Sequence, residues 1–433
     1  MPTSYLTPGI YVEEVSTGAR PIEAVGTSTA AFIGKAPRSD RHLQEVVAIN
    51  NWQQFIQEFV EKAKPAEAVA TTDSSTATSP DQPTDGKTKT AVAADTPPES
   101  TDLSHAVFGF FQNGGSRCYI VNIGDSTSLL GSGTGRDGLN LLEALDEIAI
   151  VAAPGFSDAG AYDDLLTHCE TMRDRVAILD TPKAADVRGL LQVATADAGG
   201  KSSKSSGTKG QRPRGSDRGY GAVYYPYITI RDPLSPSPAR LVDIPPSGHL
   251  AGIYARTDSE RGVHKAPANE TVRGALNVSY LVTPQEQGEL NPQGVNCIRL
   301  FPGEGIRVWG ARTLAPGASE WRYVNVRRLF NLVEESIARG TRWIVFEPND
   351  ASLWKSIRRD ISAFLTLLWR QGALMGATPE EAFFVQCDSE TNTQDIIDAG
   401  QVVAVIGICP VKPAEFVIFR IGQSAAGTEV VQS

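Results

Sequence analysis

The chain has 433 residues, of which 41% are hydrophobic, so it is long enough to form two or three domains that each bury a core. Its 40 basic and 50 acidic side chains give a formal net charge of −10, which argues against a general nucleic-acid binder. The first residues do not resemble a signal peptide, and no apolar run approaches the roughly 20 residues that cross a bilayer. The scattered cysteines form no C-x-x-C pair, which predicts buried free thiols in a reducing cytoplasm.

A short strand is predicted at the N-terminus, within the segment PGIYVEEVSTG. Ile10 and Val12 would lie on one of its faces, and Tyr11, Glu13 and Val15 on the other. No segment close in sequence offers this strand a partner, so its pairing is an open question at this point.

Two stretches depart from the composition of a globular domain. Residues 63–101 contain no aromatic side chain and too few large aliphatic ones to offset chain entropy, which predicts a disordered surface insertion. Residues 196–218 are rich in lysine and arginine but lack aromatic side chains for base stacking. They predict a flexible, solvated basic loop.

Strands and helices alternate through the middle of the chain. The predicted strands are Cys118–Ile123, Ile148–Ala153, Val176–Leu179 and Ala222–Ile230, and the predicted helices are Leu139–Glu147, Asp163–Arg173 and Ala184–Ala194. This alternation indicates a partly parallel α/β sheet. Because proline cannot donate a ladder hydrogen bond, Pro226 predicts that the last of these strands lies at a sheet edge.

Glycine-rich turns and two long amphipathic helices follow after about residue 245. The predicted strands are Val278–Val282, Asn296–Phe301, Ile306–Ala311, Val402–Cys409 and Glu415–Ile421. The predicted helices are Tyr323–Arg339, with Gly340 as the residue after its end, and Leu353–Gln371, with Asp350 as its N-cap.

One glycine-rich segment favours an alternative interpretation, a nucleotide-dependent α/β enzyme. The segment Gly133–Gly138 matches the pattern G-x-G-x-x-G, and Asp158 follows at the distance of a ribose-binding acid. However, nine residues separate Ile123, at the end of the preceding strand, from the first glycine. A dinucleotide site needs its glycines at the strand end, where phosphate meets the helix N-terminus.

Other residues that could act in catalysis or bind a metal also have simpler structural explanations. Asp180 and Asp232 follow predicted strands, where α/β enzymes place catalytic acids, but aspartate suits turns and helix caps equally. The histidines are dispersed, and nothing in the sequence brings them together: His42, His105, His168, His249 and His264. We therefore predict no catalytic residue, no cofactor and no metal site.

Several long motifs carry a resemblance to a known family. They are GVNCIRLFPGEGIRVWGARTL, WRYVNVRRLFNLVEESI, WIVFEPND and LWRQGALMGATPEEAFFVQCD in the C-terminal half, with PGIYVEEV, GTSTAAFIGKA and PVKPAEFVIFRIGQ near the ends. In this order they resemble the tail sheath proteins of contractile phage tails and related injection particles. The resemblance is weaker through the middle of the chain and is absent from residues 63–101 and 196–218.

The resemblance implies a structural role without an enzymatic step. Sheath subunits of this family stack as six-fold rings, or as a six-start helix, around an inner tube. A signal from the baseplate makes the sheath shorten and drive the tube through a target envelope. The implied partners are identical subunits, the inner tube protein, and the baseplate and terminal cap proteins, with no nucleic acid and no membrane insertion. The implied location is a phage tail or tail-like particle that is assembled in the bacterial cytoplasm.

The resemblance also favours strand exchange between subunits at both termini. The expected N-terminal arm is Ile10, Tyr11, Val12, Glu13, Glu14 and Val15, and the expected C-terminal arm is Phe416, Val417, Ile418, Phe419, Arg420 and Ile421. Each would add a strand to a neighbour's sheet. The acidic segment Asp388–Gln401 is either a plain surface helix or a tube contact. The contact would use Asp388, Glu390, Asp395 and Asp398.

We therefore predict a mixed α/β fold, in which a sheath-type core domain carries an inserted outer α/β domain and extended β-strand arms at both ends. The predicted divisions are the N-terminal arm (1–20), the start of the core (21–62), the insertion (63–101), the outer α/β domain (102–245), the inner C-terminal domain (246–412), and the C-terminal strand and tail (413–433). A low-copy baseplate or cap component with the same fold is a second alternative.

Overall fold

The computed structural model describes residues 21–61, 99–131, 135–195, 210–237 and 239–418. The strands are β1 (Ala30–Gly34), β2 (Val46–Ile49), β3 (Cys118–Asn122), β4 (Ile150–Ala152), β5 (Val176–Asp180), β6 (Gly221–Tyr225), β7 (Ile228–Arg231), β8 (Leu241–Ile244), β9 (Asn277–Val278), β10 (Val295–Phe301), β11 (Gly305–Trp309), β12 (Phe383–Gln386) and β13 (Val405–Ile408). The helices are α1 (Trp52–Phe59), α2 (Asp102–Gln112), α3 (Ala159–Met172), α4 (Val187–Leu190), α5 (Ser247–Arg261), α6 (Pro284–Leu290), α7 (Val324–Gly340), α8 (Ala351–Arg370), α9 (Pro379–Ala382) and α10 (Gln394–Asp398).

The chain divides into two compact units. The larger unit comprises Gly26–Glu260 and Pro267–Arg322, and the smaller one comprises the residues up to Val25, Arg261–Ala266 and the residues from Tyr323 onward. This division differs from the predicted domain boundary at residue 245. Strands β10 and β11 lie beyond that boundary in sequence, yet they extend the sheet of the larger unit.

An eight-stranded sheet, in the order β11-β10-β6-β5-β4-β1-β3-β2, forms the centre of the larger unit. Its inner strands pair in parallel, and only the two edge strands pair antiparallel. Strands β1, β3, β4, β5 and β6 are buried along their whole length. Such continuous burial is expected where both faces of a parallel sheet are covered, and the predicted partly parallel α/β sheet is confirmed.

The predicted strand Ala222–Ile230 is two strands in two different sheets. Strand β6 lies between β5 and β10, so the predicted edge position is wrong. Pro226 stands just beyond the end of β6, and because its nitrogen has no hydrogen to donate, the ladder stops there. Strand β7 then joins a separate antiparallel sheet, in the order β8-β7-β9.

Several predicted elements are shorter or of another kind than expected. The segment Leu139–Glu147 forms a 3₁₀-helix over Gly138–Ala144, and the segment Val278–Val282 keeps only its first residue in β9. The helix predicted over Ala184–Ala194 is limited to α4. Its last residues are extended instead, because the Ala194 amide donates to the Arg212 carbonyl at 2.7 Å.

The stretches with unusual composition are partly ordered where the structure describes them. The Thr101 hydroxyl accepts a hydrogen bond from the Ser104 amide, and the Ser104 hydroxyl accepts one from the Thr101 amide. These reciprocal bonds cap α2, so the predicted insertion ends before Thr101. In the basic tract, Arg214 forms ion pairs with Asp163 at 2.6 Å and Glu170 at 3.0 Å. Its charge therefore contributes to the packing of the tract against α3 rather than to a free basic loop.

The smaller unit is built on the two long helices that the sequence predicts, α7 and α8. Their apolar stripes meet in one core, which includes Leu329, Trp354, Ile361 and Leu365. The Asp350 carboxylate accepts hydrogen bonds from the Ser352 and Leu353 amides, both at 2.9 Å, which confirms its role as the N-cap of α8.

Gly340 is the last residue of α7 and not the residue beyond it, as predicted. Its φ angle is not positive. A Cβ atom at this position would lie 2.8 Å from Ile22 Cγ1, so the glycine is explained by packing rather than by capping.

Two expectations from composition can be compared with the structure. All five cysteines are free; Cys118, Cys169, Cys297 and Cys387 are buried as predicted, whereas Cys409 is exposed. Among the described residues, no helix combines the length and apolarity needed to span a membrane.

Candidate assembly surface

The predicted C-terminal arm is only partly described. Phe416, Val417 and Ile418 are 70%, 69% and 80% exposed, and they belong to no strand. The remaining predicted arm residues lie outside the described residues: Phe419, Arg420 and Ile421 of the C-terminal arm, and Ile10, Tyr11, Val12, Glu13, Glu14 and Val15 of the N-terminal arm. The described part of the two arms is therefore limited to these three consecutive, exposed apolar side chains of the C-terminal arm.

The segment before this apolar triplet is fixed to the smaller unit. The Val411 amide donates to the Ala373 carbonyl at 3.2 Å, and the Asn325 side-chain amide donates to the Val411 carbonyl at 3.1 Å. The Tyr323 hydroxyl donates to the Glu415 carboxylate at 2.9 Å. The chain is therefore held up to Glu415, immediately before the apolar side chains.

A two-stranded antiparallel sheet, formed by β12 and β13, lies in the same unit. One face of the sheet packs on the core through Phe383, Val385, Ile406 and Ile408.

The opposite face of this sheet is open. Phe384 and Val405 are 56% and 43% exposed, and the Phe384 ring lies over Gly407, where a Cβ would come within 2.1 Å of it. Within the described part of the chain, each strand pairs only with the other, so each has an outer edge without a ladder partner. An edge of this kind can accept an added strand.

Of the four predicted tube-contact residues, Asp395 and Asp398 lie in α10 and Asp388 and Glu390 precede it, and their surroundings differ. The Asp388 carboxylate accepts hydrogen bonds from the Glu390 and Thr391 amides at 2.9 and 3.3 Å, so it stabilises a turn. Glu390, Asp395 and Asp398 are exposed, whereas Asp388 is half-buried. No described Lys or Arg forms an ion pair with these four carboxylates. The segment therefore presents a negative surface through the three exposed side chains.

The glycine-rich segment considered for nucleotide binding is used in local packing where it is described. Gly133 lies outside the described residues. The Gly138 amide donates to the Gln44 side chain at 2.7 Å. Gly138 is the first residue of the 3₁₀-helix and has a φ of 55°. The Asp158 carboxylate accepts hydrogen bonds from the Gly160 and Ala161 amides and caps α3. These contacts account for the residues without a cofactor.

The two aspartates at strand ends also have structural partners. Asp180, at the end of β5, is buried and accepts hydrogen bonds from the Ser247 amide at 2.9 Å and the Ser247 hydroxyl at 2.6 Å. Burial raises the pKa of Asp180 to about 7, although the bonds from Ser247 oppose that rise. Asp232 accepts hydrogen bonds from the Leu234 amide and the Ser100 hydroxyl.

The buried histidines are kept neutral by their surroundings. His249 is fully buried in α5, and burial together with the charge of His105 lowers its pKa to about 3. Burial and the neighbouring Arg175 lower the pKa of His168 to about 4. In the described ranges, no group of three or more His, Cys, Asp or Glu side chains could hold a metal ion.

The sequence prediction gave no role to Phe346, which is the most exposed aromatic side chain in the described part of the chain. Phe346, between α7 and α8, is fully exposed and has a φ of 71°. In the sequence, this side chain belongs to the motif WIVFEPND, which supports the family resemblance only, and no role is predicted for it. The turn and capping residues Pro348, Asn349 and Asp350 were the available signal that the apolar run of this motif stops here.

Comparison with known proteins gives consistent matches along the chain. Residues 131–314 match the family described as the phage tail sheath protein central domain, and residues 318–424 match the phage tail sheath C-terminal domain. The tail sheath protein of Enterobacteria phage T4 is 28% identical over 189 residues, which is 43% of this chain and 28% of the phage protein. The chain thus matches little more than a quarter of that longer relative.

Two solved structures are similar over nearly the whole chain. One is the PVC sheath complex of an extracellular contractile injection system in the contracted state, at 30% identity and a TM-score of 0.69, covering 98% of this chain and 99% of that one. The other is the helical sheath of the anti-feeding prophage in the contracted state, at 29% identity and a TM-score of 0.68, covering 97% and 100%.

Proposed function

This chain belongs to the contractile tail sheath family, and from that premise we propose that it polymerises as the structural subunit of a contractile sheath. Identical subunits form stacked six-fold rings, or a six-start helix, around an inner tube. The sheath shortens on a signal from the baseplate and drives the tube through a target envelope. The particle is a phage tail or a tail-like injection system that is assembled in the bacterial cytoplasm.

The observation that carries this proposal is that the smaller unit has both an exposed apolar arm and a two-stranded sheet with open edges. A helical assembly needs heterologous contacts, in which one patch on a subunit meets a different patch on the next. The triplet Phe416–Ile418 supplies the first patch, and the free edges of β12 and β13 supply the second. Joining them covers apolar surface and completes backbone ladders.

Strand addition between subunits also explains how contacts persist during movement. Each added backbone hydrogen bond contributes about 1 kcal/mol net, so a strand of about six residues holds firmly once its apolar side chains are also covered. The hydrogen bonds at Val411 and Glu415 fix the point from which the C-terminal arm departs. The N-terminal strand Ile10–Val15 acts in the same way on another neighbour. Subunits can then rotate about the arms without separating.

In the assembled sheath, the smaller unit faces the inner tube. Glu390, Asp395 and Asp398 then face a basic patch on the tube. These exposed carboxylates make weak, screened contacts, which suits a sheath that must release the tube when it contracts. Baseplate and terminal cap proteins close the two ends of the assembly.

Electron microscopy of the full chain and of two truncated chains tests the proposal. We expect long tubular polymers from the full chain, and folded monomers that do not polymerise after removal of residues 1–18 or 416–433. Circular dichroism serves as the control for folding. Tubes of normal length from either truncated chain would show that the arm concerned is not exchanged.

Copy number separates the sheath from a low-copy baseplate or cap component. Quantitative mass spectrometry of purified particles should give hundreds of copies of this chain for a sheath and about six for a ring component. The enzyme alternative requires saturable dinucleotide binding that is lost in Gly135→Val. An unchanged melting temperature at millimolar dinucleotide would exclude it.

A further inference from the structure

The turn between α7 and α8 presents an aromatic ring to solvent from an unfavourable backbone conformation. Phe346 is fully exposed, and the preceding Val345 is 64% exposed. The φ of 71° at Phe346 is a left-handed conformation that bulky side chains rarely adopt. Neither the burial of the ring nor the local backbone preference explains phenylalanine here.

The turn is rigidly supported on both sides of Phe346. The Ile344 amide donates to the Thr341 carbonyl, and the Glu347 amide donates to the Ile344 carbonyl, both at 3.0 Å. On the other side, the Trp354 indole donates to the Asn349 side chain at 2.8 Å. A strained residue on a fixed base is typical of functional sites, where the surrounding structure maintains the strain.

The apolar tip of this turn, formed by Val345 and Phe346, adjoins the acidic segment around α10. The Asn349 side-chain amide donates to the Gln401 carbonyl at 2.8 Å, so the tip and the end of the segment are joined directly. Glu347 lies two positions before Asn349, and Asp395 and Asp398 lie six and three positions before Gln401; all three carboxylates are exposed. An apolar anchor with an acidic border fits a partner that offers an apolar pocket with a basic border.

We propose that Phe346, supported by Val345, is the anchor that inserts into an apolar, basic-rimmed pocket of the inner tube subunit. This inference rests on the proposed sheath function and specifies how the sheath recognises its tube. Another copy of this acidic face would bring like charges together, so the exposed carboxylates of Glu347, Asp395 and Asp398 favour a basic-rimmed partner.

The deciding variant is Phe346→Asn in the full chain, because asparagine tolerates the left-handed backbone and removes the ring. We expect the melting temperature to be unchanged or higher and the sheath polymers to form normally. Co-sedimentation with preassembled tubes, made from the tube subunit encoded with this chain, should fall at least tenfold. Leu367→Gln, which removes a side chain that is 51% exposed on α8, is the matched control and should bind tubes normally.

A second variant tests the acidic border. Asp395→Asn combined with Asp398→Asn should reduce the salt dependence of tube binding and leave sheath polymers intact. Normal tube binding by Phe346→Asn would overturn the inference. So would a loss of sheath polymers in the absence of tubes, because the ring would then contact another sheath subunit. If the unaltered chain forms no sheath at all, the proposed function fails instead.

Discussion

Asp180 and Ser247 are joined by two hydrogen bonds in the buried interior of the larger unit, although they lie 67 positions apart in the chain. The Asp180 carboxylate ends strand β5, and Ser247 begins helix α5, so the pair fixes where the helix starts relative to the sheet. Burial raises the pKa of this carboxyl to about 7, above the ordinary value of 3.8.

The raised pKa predicts a pH dependence of stability with a definite sign. Between pH 4 and 7 the folded chain keeps a proton on Asp180 that the unfolded chain has lost, so this group's contribution to stability decreases as pH rises. Asp180→Asn should remove that contribution, which changes by up to about 1.4 kcal/mol per pH unit. The measurement is urea denaturation of both chains from pH 4 to 8.

The matched control is Asp158→Asn, which exchanges one exposed helix-capping residue for another. It should leave the free energy of unfolding at pH 8 close to that of the unaltered chain, because aspartate and asparagine cap helices about equally well. Parallel pH profiles for the unaltered chain and Asp180→Asn would contradict the assignment of a raised pKa.

His249 predicts the opposite dependence. Its pKa is lowered to about 3 in the folded chain. Between pH 6.5 and 3, His249 is therefore protonated in the unfolded chain but neutral in the folded chain. Its contribution to stability is therefore lost progressively as pH falls from 6.5 to 3. Both ring nitrogens are buried, and neither has a hydrogen-bond partner among the described residues, so His249→Leu should not destabilise the chain at pH 8. It should also reduce acid sensitivity, measured as melting temperature between pH 4 and 8; an unchanged acid profile would argue against this role.

Helices α2 and α5 approach each other too closely for a side chain at one position. A Cβ on Gly248 would lie 2.2 Å from the Ala106 Cα, which is main chain and cannot move aside. Gly248→Val should therefore lower the free energy of unfolding by about 3 kcal/mol. Gly288→Ala in α6 is the control, because no atom lies within 4 Å of its added Cβ. It should raise stability by about 0.5–1 kcal/mol, and equal effects of the two substitutions would refute the close approach.

The C-terminal arm should show the two-residue periodicity of a strand when subunits assemble. In an added strand, Val417 and Phe419 share one face, and Phe416 and Ile418 share the other. Replacing both residues of the face that meets the neighbour's core by serine should raise the critical concentration for polymerisation at least tenfold. Replacing the other pair should have a much smaller effect, as measured by light scattering. Equal effects from the two pairs would indicate that the arm does not bind as a strand.

Local signals in the sequence were sufficient for the two long helices of the smaller unit and for several buried strands of the larger one. The apolar spacing of α7 and α8 placed both helices within two residues, and Asp350 marked the start of α8 correctly. These features depend on neighbours within one or two helical turns. The free cysteines and the partly parallel α/β sheet follow in the same way from composition and from alternating periodicity.

Contacts between distant residues decided what the sequence left open or misplaced. Pro226 ends β6 inside the sheet rather than marking an edge, because the order of strands depends on pairings far apart in the chain. Gly340 is explained by the approach of Ile22, more than three hundred residues earlier. Phe346 lies in an apolar string, yet it is fully exposed and is not among the side chains that form or cover the core of the smaller unit. The sequence by itself determined the long amphipathic helices, the alternating α/β pattern and the family resemblance. The tertiary structure decided which edges and apolar side chains are left for partners, since burial depends on the whole set of packed neighbours.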